Sequence, residues 1–183
     1  MTSMRKIAFL DVESTSLTAD SGFIVGAGIL WEDDEWEHIF VKKNIVKEER
    51  IILEKILERL DRAETIITWY GENFDYPMII SRSLVNGLNP TKMLTKRHID
   101  LYMTCKKLLR LSNYTLDSTA KFFKINKKTE LKGSDMPPYY MKAISGDEEA
   151  YRRIIEHCYD DLKALKQIYY IMKDIVGYIN PQG

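Results

Sequence analysis

Cysteine is scarce in this chain. Its two cysteines, Cys105 and Cys158, show neither a Cys-x-x-Cys spacing nor a histidine pattern to match, which argues against a disulfide framework and against a zinc site. Buried thiols are the expectation. Long apolar runs are missing too. The N-terminal apolar stretch leads straight into Asp11, leaving no signal-peptide core or cleavage site, and no run approaches membrane-spanning length. A cytoplasmic, soluble protein with no membrane partner is expected. Internal repeats and low-complexity segments are lacking. A length of 183 residues suits one domain, 1–183, with a substantial core.

Net charge is the third absence, with 27 Lys and Arg balanced by 27 Asp and Glu. The balance is uneven along the chain. From Thr91 to Lys132 eleven basic residues face three acids, so the remainder is acidic by the same margin. Two readings stand side by side: a basic track for phosphates next to an acidic pocket, and a solvated lysine-rich face. Lys106, Lys107 and Arg110 are the candidates to line such a track, with Tyr114 available for base stacking.

What is present begins with strands. Residues 5–12 read as a buried strand, and 22–31 and 36–43 as two more joined by the acidic turn Glu32-Asp33-Asp34-Glu35. Residues 47–62 carry Ile52, Ile56, Leu57 and Leu60 at helical spacing. A short apolar strand at 65–70, a helix at 75–85 and a strand at 98–102 follow. The remainder is mostly helical, with Pro137-Pro138 opening one helix. The last helix, from about Tyr151, places Ile154, Cys158, Leu162, Leu165, Tyr169 and Met172 on one stripe. This order predicts an α/β fold in which helices cover a mixed sheet.

Asp11 and Glu13 close the first strand, one residue apart. Side chains at i and i+2 share a face of a strand and can reach one ion, and two like charges so close call for a cation. A solvated loop is the bland alternative. In the segment Ile66 to Pro77 a strand and a Gly71-containing loop deliver Asp75 to a helix start, where capping alone would explain it. His157 and Asp161 lie four apart, nearly on one side of the last helix, while Tyr159 points away.

The ordered set Asp11-Val12-Glu13-Ser14-Thr15, Asn73-Phe74-Asp75 and His157-Cys158-Tyr159-Asp160-Asp161 resembles the DEDD, or DnaQ-like, 3′-to-5′ exonucleases of the ribonuclease H-like superfamily. It is most similar to the exonuclease domain of archaeal-type family B DNA polymerases. His98-Ile99-Asp100-Leu101-Tyr102 and Asn113-Tyr114-Thr115-Leu116-Asp117 add to the likeness, and a stand-alone exonuclease domain is expected because the length leaves no room for polymerase domains. The resemblance implies a five-stranded mixed sheet, three antiparallel strands then two parallel, flanked by helices, with the first strand beside the fourth. It implies that Asp11, Glu13, Asp75 and Asp161 hold two Mg2+ or Mn2+ ions, which serve phosphodiester hydrolysis at single-stranded 3′ ends, DNA favoured over RNA. A replication or repair protein is a further partner it suggests.

Three departures from the family pattern carry information. Relatives hold Tyr four residues before the last Asp or His five before it; here His157 stands four before Asp161. Imidazole titrates near neutral pH, so His157 is the expected general base, with a structural histidine as the competing reading. Tyr70 stands where relatives usually have Asn, and Ser16 where they have Gly. The resemblance further implies substrate contacts at Thr15, Leu17, Asn73 and Phe74; for Leu17 and Phe74 a core position competes. Asp100 reads as an N-cap outside the metal set. The alternative to an enzyme is a catalytically silent nucleic-acid-binding or docking module of the same fold, and an endonuclease is a third reading.

Overall fold

A computed structural model describes residues 5–129, 131 and 135–179. The strands are β1 (Arg5–Ser14), β2 (Ile24–Trp31), β3 (Trp36–Phe40), β4 (Ala63–Thr68) and β5 (Arg97–Asp100). The helices are α1 (Ile45–Leu60), α2 (Asp75–Val85), α3 (Thr91–Leu94), α4 (Leu101–Leu108), α5 (Leu116–Phe122), α6 (Met136–Ile144) and α7 (Glu148–Ile179). One sheet runs β3-β2-β1-β4-β5. The β1–β2 and β2–β3 pairs are antiparallel, β1–β4 and β4–β5 parallel. The five-stranded mixed sheet, the β1–β4 neighbourhood and the long last helix are thus as the sequence implies.

Alternation along β1 sorts its side chains between two cores. Ala8, Leu10 and Val12 pack with α1 and α2 residues such as Leu53, Ile56, Met78 and Ile79. Phe9 points the other way, into a core with Ile67, Ile99 and the α7 residues Ile154, Cys158, Leu162 and Leu165. Period two then puts Asp11 and Glu13 on the α7 side. The register sets both acids opposite glycines, Asp11 against Gly28 and Glu13 against Gly26. A Cβ on Gly28 would lie 2.5 Å from the Cys158 sulfur, so the missing side chain is what lets α7 settle over the acidic end of β1.

Helix boundaries follow local chemistry. Asn44 caps α1 through its side chain, which accepts from the Lys47 N–H, while Glu48 accepts from the Lys42, Lys43 and Asn44 N–H groups. The start falls at Ile45, ahead of the apolar stripe, because the cap decides it. Strand β3 stops at Phe40, earlier than its composition suggests. The short α3 escapes periodicity altogether, having a single turn. Helix α7 begins at Glu148, before the stripe, and Asp147 accepts from the Ala150 N–H there. Among the described residues no helix is long and apolar enough to cross a membrane. Residues 130 and 132 of the basic stretch lie outside the described residues.

Candidate active site

Strand β1 runs past the end of its parallel neighbour: its pairing with β4 ends at Phe9–Ile67, while the strand continues to Ser14. The Val12 N–H beyond that point is taken by the Asp75 carboxylate at 2.9 Å. Asp75 is the first residue of α2; the N-cap is Phe74, without a side-chain bond. The Asp75 carboxylate thus spans from helix to strand while also meeting its own backbone N–H at the helix start, so capping is not its whole role. This crevice, outside the carboxyl ends of parallel strands, is where open α/β sheets place ligands.

Four acids act on one another's charge here, but among the described residues only Asp11 and Glu13 come close enough to share an ion, together with Cys158; Asp75 and Asp161 stand outside that tight group. Glu13 and Asp75 are buried, and Asp11 and Asp161 are largely but not fully covered. Burial pushes the Asp11 carboxyl up to about 7, with the charge of Asp161 adding to it and the Cys158 thiol and Lys127 opposing it. Burial raises Glu13 well above the usual range, and Asp11, Asp161 and Asp75 raise it further. Asp75 is raised by burial and by Asp11. Asp161 is raised by burial against the pull of His157 and Lys127. Lys127 pairs with Asp161, and the remaining carboxyls form a group that could hold a cation.

The donors fit a hard divalent ion. One ligand atom each from Asp11, Glu13 and Cys158 lies within 4.8 Å of the others. The sulfur is not a soft ligand as it stands, because burial and the nearby Asp11 and Glu13 charges hold the Cys158 thiol far above its ordinary value, and it donates to Asp11. Oxygen donors then dominate, as magnesium or manganese requires.

Three participants escape a reading of the sequence. Cys158 stands three residues before Asp161 and so shares its helix face, a signal that was there to use. Tyr140 of α6 gives its hydroxyl to Glu13, 127 residues away in sequence, and nothing local marks it. Lys127 is ion-paired with both Asp161 and Asp117, and it is indistinguishable in sequence from its lysine neighbours. Both cysteines are free and buried, as expected.

The remaining candidates divide. His157 is buried, its Nε2 3.6 Å from Asp161 Oδ2, and its Nδ1 has no hydrogen-bond partner among the described residues. Tyr159 packs against Trp36 at 5.0 Å and under Lys163. Thr15 spends its hydroxyl on the Phe23 N–H at 3.0 Å, and Phe74 packs on the α1–α2 core. Leu17 is 84% exposed on the loop after β1, and Asn73 is exposed. Asp100 caps α4 and stays out of the acid cluster's ligand set, yet it does more than cap: its carboxylate also accepts from the Tyr70 and Glu72 N–H groups, both at 3.0 Å.

A five-stranded mixed sheet with acids gathered at the ends of β1 and β4 under a long helix defines an α/β protein of the ribonuclease H-like fold. The family model described as the RNase H superfamily matches residues 8–173, and the chain belongs to that superfamily. It is also related to a DNA polymerase of Methanocaldococcus jannaschii, 32% identical over 92 residues that cover 40% of this chain and 6% of that protein. The family B DNA polymerase structure from the archaeon Pyrobaculum calidifontis superposes with a TM-score of 0.77 at 15% identity, covering 91% of this chain and 24% of the polymerase. The chain thus spans a small part of either relative's length, and the second likeness concerns the fold.

Proposed function

We propose that the protein is a metal-dependent 3′-to-5′ exonuclease that removes nucleotides from single-stranded ends, DNA in preference to RNA. The observation that carries this reading is the Asp11–Glu13 pair at the end of β1, with Asp75 bonded to the Val12 N–H between them and Asp161 near enough to act on both charges. Asp11, Glu13 and Asp161 would hold one divalent ion, and Asp11 with Asp75 would support a second. Bound there, such ions supply activation of the attacking water and neutralisation of charge on the leaving oxygen.

The chain's own groups do the rest. His157, beside Asp161, takes the proton of the attacking water. Tyr140 fixes the Glu13 carboxylate, and the Val12 N–H fixes that of Asp75, so neither acid needs to reorganise during the reaction. Lys127, itself largely buried, offsets the charge on Asp161. Relation to a protein named DNA polymerase supports DNA as the strand.

The test is a digest of 5′-labelled single-stranded DNA with manganese. A ladder of shortened products that Asp11→Ala abolishes is expected, while a closed circular strand stays intact. No ladder, or one that Asp11→Ala leaves unchanged, overturns the proposal; cutting of the circle indicates an endonuclease. The ion pair of Lys127 with Asp161 favours a second reading, a silent binding module whose acids are already neutralised by the protein. That reading expects single strands to bind in EDTA with no turnover when metal is added.

A further inference from the structure

An open groove of about 560 Å³ is lined by Trp69, Tyr70, Tyr102, Lys106, Tyr114 and Thr115 among others. Its aromatic rings form a continuous set: Tyr102 meets Tyr70 at 4.8 Å, Trp69 at 6.2 Å and Tyr114 at 6.4 Å. The Lys106 ammonium stands 5.8 Å from the Tyr102 ring centre. Lys107 and Arg110 are exposed on and just past the same helix, α4, and no carboxylate is among the residues lining the groove.

Tyr70 is held in this set against its own backbone preference. Its φ is +64°, a left-handed conformation costly for a residue with a bulky side chain. The Asp100 carboxylate over-determines it, gripping the Tyr70 and Glu72 N–H groups from the end of β5. Gly71 next to it admits no Cβ, which would meet the Thr68 side chain at 2.2 Å. The tyrosine is nonetheless 44% exposed. A strained, clamped and exposed aromatic at the mouth of a groove does little for the core.

Both walls of the groove are tied to the acids. Asp100, which clamps Tyr70, acts electrostatically on Asp75. Thr115 caps α5, whose Asp117 shares Lys127 with Asp161. These links run from the two sides of the groove to two of the four acids, Asp75 and Asp161.

We propose that this groove is a stacking site for bases of a single strand behind its 3′ end, with Tyr70 as the specificity-determining ring and Lys106 facing a phosphate. The inference rests on the exonuclease reading for the strand's direction only. Faces of tyrosine and tryptophan accept any base, so the site selects unpaired over paired strands rather than one sequence over another. Asp100 is its positioning residue, acting through the Tyr70 backbone.

The experiment is fluorescence anisotropy of a short 5′-labelled oligodeoxyadenylate with the full chain in EDTA, so that no turnover intervenes. Tyr70→Gly, which suits the left-handed backbone, is expected to weaken binding about tenfold while the melting temperature holds or rises. Tyr70→Phe is expected to bind as the native chain does. Abasic sites at the stacked positions should weaken the native chain by a similar factor and cost Tyr70→Gly nothing further. Equal binding by Tyr70→Gly, an abasic penalty that persists in it, or no binding by the native chain overturns the proposal. The two readings fail separately. A ladder that depends on Asp11, with Tyr70→Gly binding as tightly as the native chain, removes the groove and leaves the nuclease; ring-dependent binding without any ladder does the reverse.

Discussion

Glu13 shows how much a single contact does in this site. Its carboxylate is buried among three other acids, and the Tyr140 hydroxyl is the hydrogen bond that draws it back toward the charged form. Tyr140→Phe keeps the ring and removes that donor, so manganese should bind about tenfold more weakly with little change in fold stability, measured as the manganese concentration for half-maximal digestion. His157→Ala should cut turnover by about 10²–10⁴ and leave strand binding in EDTA untouched, whereas a purely structural histidine would lower the melting temperature without that split. Asp11 and Glu13 were legible in the sequence because strand periodicity is rigid: two residues apart means one face. Tyr140 was not, because its role exists only once α6 has folded over the end of β1.

Elements carry the next level of constraint, above all the seating of α7 on the sheet. Gly28 is the contact point, with Cys158 Sγ and the Trp36 ring 2.5 and 2.6 Å from where a Cβ would stand. Gly28→Ala should therefore lift α7, costing about 1–3 kcal/mol in urea denaturation and a larger share of activity, since α7 carries His157 and Asp161. Removing the sulfur as well, in Gly28→Ala with Cys158→Ala, should recover part of that loss, a coupling of about 0.5 kcal/mol or more. Element order could be read from the sequence, because the apolar run of β1 and the helical stripes of α1 and α7 are strong, whereas the pairing of β1 with β4 followed from the family resemblance. Element ends could not. Caps such as Asn44 with Glu48 set them, and the single turn of α3 is too short to show a period. Asp75 looked like a cap for the same reason, and only the overhang of β1 past β4 shows that Val12 takes its carboxylate.

For the whole molecule, the buried acids should make the metal-free fold less stable as pH rises. Asp11 has its carboxyl at about 7 in the fold against an ordinary 3.8, so between those values the folded chain holds a proton that the unfolded chain has lost. Stability then falls with rising pH across about 4 to 7, and the raised Glu13, Asp75 and Asp161 act in the same direction. His98 opposes them, since burial lowers its value and favours the fold as pH rises toward 6.5, but it is one group against four. Carboxylates held low, such as Asp61 between Lys92 and Lys96, lose their contribution only below about pH 4 and do not touch this window. A divalent ion binds the deprotonated acids, so manganese should raise the melting temperature more at pH 8 than at pH 6. Asp11→Asn removes the titrating group. It should stabilise the metal-free protein at pH 8 by about 1–3 kcal/mol, change little at pH 4, and largely abolish the manganese shift. Thermal melts in EDTA and in manganese across this range check all three; a native chain that grows steadily more stable from pH 5 to pH 8 without metal would show that the cluster's charge is already met by the protein, as Lys127 and Tyr140 begin to do.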